Sequence, residues 1–317
     1  MEDYILFSFS GLEFTKYGLI IGAGCLLWLL SALILRRYLN THYHVPASSA
    51  AFAGFLMMLF GTVFSRIVYC LAKYEKYMYA YEAIPVFTEG GASMCGAVIG
   101  AALGLALSAL ITRTDTAHLA DCFAPGFGLF AAAVVLAQLT IGEGWGKLTQ
   151  STGIQNSMLS VIDRYGDSRF AVYRMELAAC AMVCLACVML MPEKLRPGAL
   201  TNVALGIYCA LRIVTVSMRE GEVLALEYFR IDQLAAMGLL LIMCIRAVTV
   251  TKTIAGRIWR ILAFLAGAGL ATLMEFKVDS GNGIEQEYML MLLGSITCLA
   301  AALIGTVTRR SIRGGGF

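Results

Sequence analysis

Apolar residues fall in nine blocks separated by short polar intervals. Each is about as long as a helix must be to cross a bilayer, roughly 20 residues. The blocks run Tyr17–Leu35, Ala47–Ala72, Ala92–Ile111, His118–Ile141, Phe170–Met191, Ala199–Met218, Ile231–Val250, Ile258–Leu273 and Tyr288–Val307. This pattern predicts an all-α polytopic membrane protein with nine transmembrane helices. Residues 1–16 read as a short amphipathic interfacial segment, and Gly142–Arg169 as a folded loop outside the membrane. Lys and Arg cluster after the first and fifth blocks, around the seventh-to-eighth turn and at the C-terminus, whereas the last loop is acidic. Such an asymmetry predicts an outer N-terminus and a cytoplasmic C-terminus.

Composition sharpens the class. The chain is 59% hydrophobic and 14% charged, against about 25% charge in soluble domains. A net charge of +3 without a basic run gives no reason to expect nucleic acid. Ten cysteines lie in or beside the apolar blocks, Cys184 and Cys187 as a C-x-x-C inside one of them. In that setting they read as small packing residues. No metal-ligand cluster, phosphate-binding Walker loop or G-x-S-x-G elbow is present, so no metal or cofactor is expected. The opening MEDYILFSFSGLEF lacks the basic start and small-residue cleavage site of a removable signal peptide.

The stretch from Thr88 to Lys147 stands out, with paired glycines, Pro125 inside a span, and isolated polar groups at Glu89, Ser93, Asp121, Gln138 and Glu143. Hydrocarbon offers no water to broken backbone or polar groups, so such residues line a cavity or face protein. Pro125-Gly126 predicts a kink or break. The pattern GAVIGAALGLALSA places small residues three and four apart, which lets helices approach closely. Ser93 is placed to cap a helix start, with Cys95 two residues on. Arg66 and Arg212 lie within spans, and Tyr208 sits one turn before Arg212. A stranded guanidinium takes either a lipid phosphate or a counter-charge. Glu176, Asp121 and Glu143 are the available counter-charges for Arg212.

These residues resemble a known family. EGGASMCGAVIG is similar to the glycine-rich segment of bacterial prolipoprotein diacylglyceryl transferases, and LADCFAPGFGLFAAAVVLAQLTIGEGWGK resembles their signature without a gap. KYGLIIG, FSRIVYCLAKY and GIYCALRIVTVSMRE resemble further family segments in the same order, and Tyr173–Glu176 does so more weakly. The resemblance covers about residues 15–250. It implies a seven-helix transferase core over 1–250, with 142–169 as an extracytoplasmic loop region. Residues 251–317 then add two helices and a basic tail.

The resemblance also implies an activity: transfer of a diacylglyceryl group from a phosphatidylglycerol-like phospholipid to the lipobox cysteine thiol of a preprolipoprotein, at the bacterial plasma membrane. By position, Glu143 and Arg212 are the implied catalytic residues, and Cys95 stands where the family has histidine. Tyr17, Arg66, Gly90, Gly91, Ser93, Gln138, Gly142, Tyr208 and Arg219 are the implied lipid- and phosphate-binding residues. Departures are specific. Val135 replaces the signature arginine, Gln138 and Ile141 replace asparagines, and Val216 replaces an acid. A second expectation is therefore a non-catalytic lipid-binding or lipoprotein-handling subunit. A transporter, the third, predicts internal repeats, and none is visible in the sequence.

Overall fold

The computed structural model describes residues 5–9, 12–39, 45–73, 93–142, 144–149, 151–163, 165–193, 195–220, 225–226, 229–278 and 285–304. The expectations for Glu89, Gly90, Gly91 and Glu143 lie outside them. Among the described residues, nine helices are long and apolar enough to span a membrane. They are α1 (Lys16–Leu35), α2 (Ala47–Ala72), α3 (Met94–Thr112), α4 (Thr116–Thr140), α5 (Val172–Leu190), α6 (Ala199–Met218), α7 (Ile231–Val250), α8 (Ile254–Lys277) and α9 (Glu285–Leu303). The protein is an all-α polytopic membrane protein.

Large apolar side chains are exposed along these helices, among them Leu27, Ile34, Leu110, Leu185, Ile242 and Trp259. Contiguous apolar surface on this scale fits lipid as the solvent. Among the described residues, three short antiparallel strand pairs supplement the helices. They are β1 (Ile5–Phe9) with β2 (Leu12–Thr15), β3 (Ser160–Ile162) with β4 (Ser168–Phe170), and β5 (Ala225–Leu226) with β6 (Phe229–Arg230). The first hairpin occupies the segment expected to be interfacial.

Glycine spacing explains the closest helix pair. Gly96, Gly100 and Gly104 recur every four residues on one face of α3. A Cβ at each would meet, in turn, the carbonyl oxygens of Phe64, Phe60 and Leu56 on α2. Without those side chains the two backbones approach closely, the usual device where lipid supplies no hydrophobic drive.

Pro125 gives a correction. Helix α4 runs unbroken from Thr116 to Thr140 with the proline inside it, so the expected break does not occur. Beside it, α4 is tied to its neighbours: Cys187 Sγ lies 3.7 Å from the Ala124 carbonyl, and Trp28 Nε1 donates to the Phe123 carbonyl at 2.9 Å.

Two apolar clusters build the interior. One joins α1, α2, α4, α5 and the start of α6 through Trp28, Ala53, Leu119, Phe123, Val183 and Leu200. The other joins α6, α7, α8 and α9 through Ile213, Leu240, Phe264, Met274 and Met291. Helix α6 belongs to both and is buried at every residue from Arg212 to Met218. Its start is anchored by Asp121 of α4, which accepts from Gly198 N at 2.7 Å and from Thr201 N and Oγ1, each at 2.9 Å.

Candidate functional site

Glu176 is the centre of a charged cluster at the C-terminal end of α6. Both its neighbours in sequence and the core around it are apolar, and it is 4% exposed. One carboxylate oxygen accepts from Arg212 Nη1, and the other accepts from Arg219 Nη2 at 2.5 Å. Arg212 reaches Asp232, in the first turn of α7, through Nη2 at 2.9 Å. Arg219 also donates to Gln138 Oε1 of α4 at 2.8 Å. Four helices thus contribute to one network, and α6 supplies both guanidinium groups.

The Nε atoms of Arg212 and Arg219 are buried and have no hydrogen-bond partner among the described residues. An unmade bond from a buried charged donor costs about 1–3 kcal/mol or more. The cluster therefore keeps donor capacity that the protein does not use.

A second tier backs the first. Arg230 donates to the Val216 carbonyl at 2.5 Å, and its Nε lies 3.6 Å from Glu275 Oε1. Gln233 donates to Glu275 Oε2 at 3.0 Å and to the Ile213 carbonyl at 3.4 Å. Three guanidinium groups (Arg212, Arg219, Arg230) meet three carboxylates (Glu176, Asp232, Glu275), so the whole is charge-balanced.

The segment after α4 holds α6's end in place. Lys147 N donates to the Met218 carbonyl at 2.8 Å, and Glu220 N to the Trp145 carbonyl at 3.1 Å. On its other side the same stretch pairs with Phe170, through Gly146 N at 2.9 Å and Phe170 N at 3.1 Å. Arg169 pairs with both Glu220 and Asp163. The glycine-rich segment after α4 is thus a strap between the start of α5 and the end of α6. Gly144 sits there at φ +94°, which a side chain rarely tolerates.

Other implied residues gather at the same end of the bundle. Ser93 caps α3, accepting from Gly96 N at 3.5 Å. It is tied to α2 by reciprocal bonds, Ser93 N to the Ser65 carbonyl at 3.1 Å and Ser65 Oγ to the Ser93 carbonyl at 2.9 Å. That tie fixes Arg66, whose guanidinium lies 4.9 Å from the Tyr69 ring centre. Cys95 occupies the first turn of α3, within range of the charge on Asp232. Tyr208 packs edge-on against Phe127 at 5.2 Å, and Tyr17 begins α1. Gly142 is exposed at φ +80° in the turn after α4.

A family model described as prolipoprotein diacylglyceryl transferase matches residues 4–250. The chain belongs to that family. Among curated relatives, the phosphatidylglycerol–prolipoprotein diacylglyceryl transferase 2 of Clostridium perfringens (strain 13 / Type A) is 29% identical over 151 residues. That alignment covers 47% of this chain and 57% of the relative, so the chain spans little more than half of the relative's length.

Set against the family pattern, the departures acquire a structural setting. Val135 is buried in α4 and Val216 in α6, and the carboxylates nearest the arginines are Glu176 and Asp232. Of the two alternatives for Arg212, ion pairing with Glu176 is the arrangement observed. Asp121, another proposed counter-charge, is instead committed to the start of α6. The sequence reading missed Asp232, Arg230, Gln233 and Glu275. An acid and an amide in succession opening the apolar α7 was the signal for two of them. Glu275 lies in the last turn of α8, beside the acidic loop.

Proposed function

We propose that the chain is a membrane-embedded transferase that moves a diacylglyceryl group from a phosphatidylglycerol-like phospholipid to the lipobox cysteine thiol of a preprolipoprotein. The observation that carries this reading is the pair Arg212 and Arg219, converging on Glu176 in a chain of this family, each with an unused buried N–H. In the reaction, the thiol sulfur bonds to the terminal glycerol carbon of the diacylglyceryl group. The bond from that carbon to the phosphate oxygen breaks, the thiol proton passes to a base, and glycerol phosphate leaves.

Arg219 and Arg212 stabilise the departing phosphate in this scheme, where charge-assisted donors are strongest. Cys95 stands at the position from which a base acts, and Glu143 orients the substrate. Gln138, Ser93, Arg66, Tyr17, Tyr208 and the glycines at 90, 91 and 142 line the lipid's approach. The alternation of basic and acidic loops supports an outer N-terminus and a cytoplasmic C-terminus in a bacterial plasma membrane.

One observation favours a second reading, a non-catalytic lipid-binding subunit. The charge balance of the cluster leaves phosphate to compete with Glu176 and Asp232, and Val135 offers no further cation. Incubation with phosphatidylglycerol and a lipobox peptide separates the two. A thioether-linked product supports the transferase; lipid binding without product supports the subunit.

A further inference from the structure

The family match ends at residue 250, yet α8 and α9 are packed into the same apolar cluster as α6 and α7. Gly267 of α8 and Gly294 of α9 face each other so closely that a Cβ on either meets the other's carbonyl. The hairpin is thereby locked as one unit against the core. From it, Glu275 reaches the charged cluster: its Oε2 accepts from Gln233 and its Oε1 faces Arg230. Both partners continue to the backbone of α6, Gln233 to the Ile213 carbonyl and Arg230 to the Val216 carbonyl. Both carbonyls lie between Arg212 and Arg219, which are about two helical turns apart.

We propose that the α8–α9 hairpin is a working part of the site, with Glu275 as a positioning residue that holds Arg230 and Gln233 and, through them, the arginine-bearing end of α6. This rests on the transferase reading only for its activity readout. Glu275 does not touch the substrate. Its carboxylate keeps Arg230 on the Val216 carbonyl rather than on Asp232 or Glu176, and so leaves those two acids to Arg212 and Arg219. Misplacing a reacting or binding group by about 1 Å costs on the order of 100-fold, so a lost anchor on this helix is felt at the site.

The test uses the full chain in nanodiscs of phosphatidylcholine doped with phosphatidylglycerol. Phosphatidylglycerol binding, lipobox-peptide transfer and melting temperature are compared for wild type, Glu275→Gln and Glu275→Asp. The expected result is a loss of binding and transfer in Glu275→Gln of roughly 10- to 100-fold at an unchanged melting temperature, recovered in large part by Glu275→Asp. Should wild type bind the lipid and transfer nothing, the transferase reading fails, and the positioning role is decided by the binding series alone. Wild-type affinity in Glu275→Gln overturns the proposal. So does a loss that tracks a lowered melting temperature and is not recovered by aspartate, and so does a wild type that binds no phosphatidylglycerol.

Discussion

Glu176 and Arg219 meet at 2.5 Å, Oε2 to Nη2, and the same carboxylate gives its other oxygen to Arg212. A single buried acid therefore bridges two guanidinium groups at the end of α6, and Asp232 supplies a second negative charge beside them. Removing one member of a buried ion pair leaves an uncompensated charge and costs about 3–5 kcal/mol. Glu176→Gln is expected to lower the stability of the detergent-solubilised protein by that amount, read from thermal or denaturant unfolding. A change within about 0.5 kcal/mol, typical of a surface site, contradicts this reading of Glu176.

Asp121 makes a structural prediction independent of the cluster. Three hydrogen bonds tie it to Gly198 and Thr201 across the start of α6. Loss of a helix cap costs about 0.5–2 kcal/mol, and this one also joins two helices. Asp121→Ala is expected to destabilise at the upper end of that range. Amide exchange at the first turn of α6 should rise before exchange elsewhere.

The α2–α3 seam predicts the effect of bulk. At Gly100 any side chain meets the Phe60 carbonyl, and backbone yields less readily than a flexible side chain. Gly100→Val is expected to separate the helices and cost about 1–3 kcal/mol or more, visible as a lower melting temperature and poor folded yield. Gly22, with nothing near its Cβ direction, is the control: Gly22→Ala should be tolerated.

Acid should loosen the β3–β4 hairpin. Asp163 accepts from Arg169 Nε at 2.6 Å and from the backbone N–H groups of Tyr165 and Asp167. Arg169 first, and those N–H groups after it, hold its carboxyl below the usual range. Because the folded value is depressed, the stabilisation is present above the unfolded value, near 4. It is lost as pH falls through the folded one. Hydrogen exchange at Tyr165 and Asp167 should speed up on acidification below about pH 4. In Asp163→Asn it should already be fast and vary little with pH.

Much of the architecture was legible because hydrocarbon imposes few solutions. Apolar blocks of bilayer length gave the spans, and the small-residue spacing of α3 foretold its close partner without naming α2. At Pro125 the sequence left a kink or a break open, and the helix continues through it. At the site, Arg212 was conspicuous because it is charged and within a span. Glu176 stood among three possible counter-charges, and Asp232 was harder to see, because it lies on another helix and only folding brings it to the end of α6. Ion pairing and phosphate binding use the same guanidinium chemistry, so sequence alone could not choose between them.

The central claim is that Arg212 and Arg219 serve lipid-to-thiol transfer. The most direct measurement is mass spectrometry of a lipobox peptide incubated with the purified protein and phosphatidylglycerol, run beside Arg219→Ala. The account predicts a diacylglyceryl thioether on the peptide cysteine and release of glycerol phosphate, reduced roughly 100- to 1,000-fold in a folded Arg219→Ala variant. A folded wild type that binds phosphatidylglycerol and leaves the peptide unmodified contradicts it.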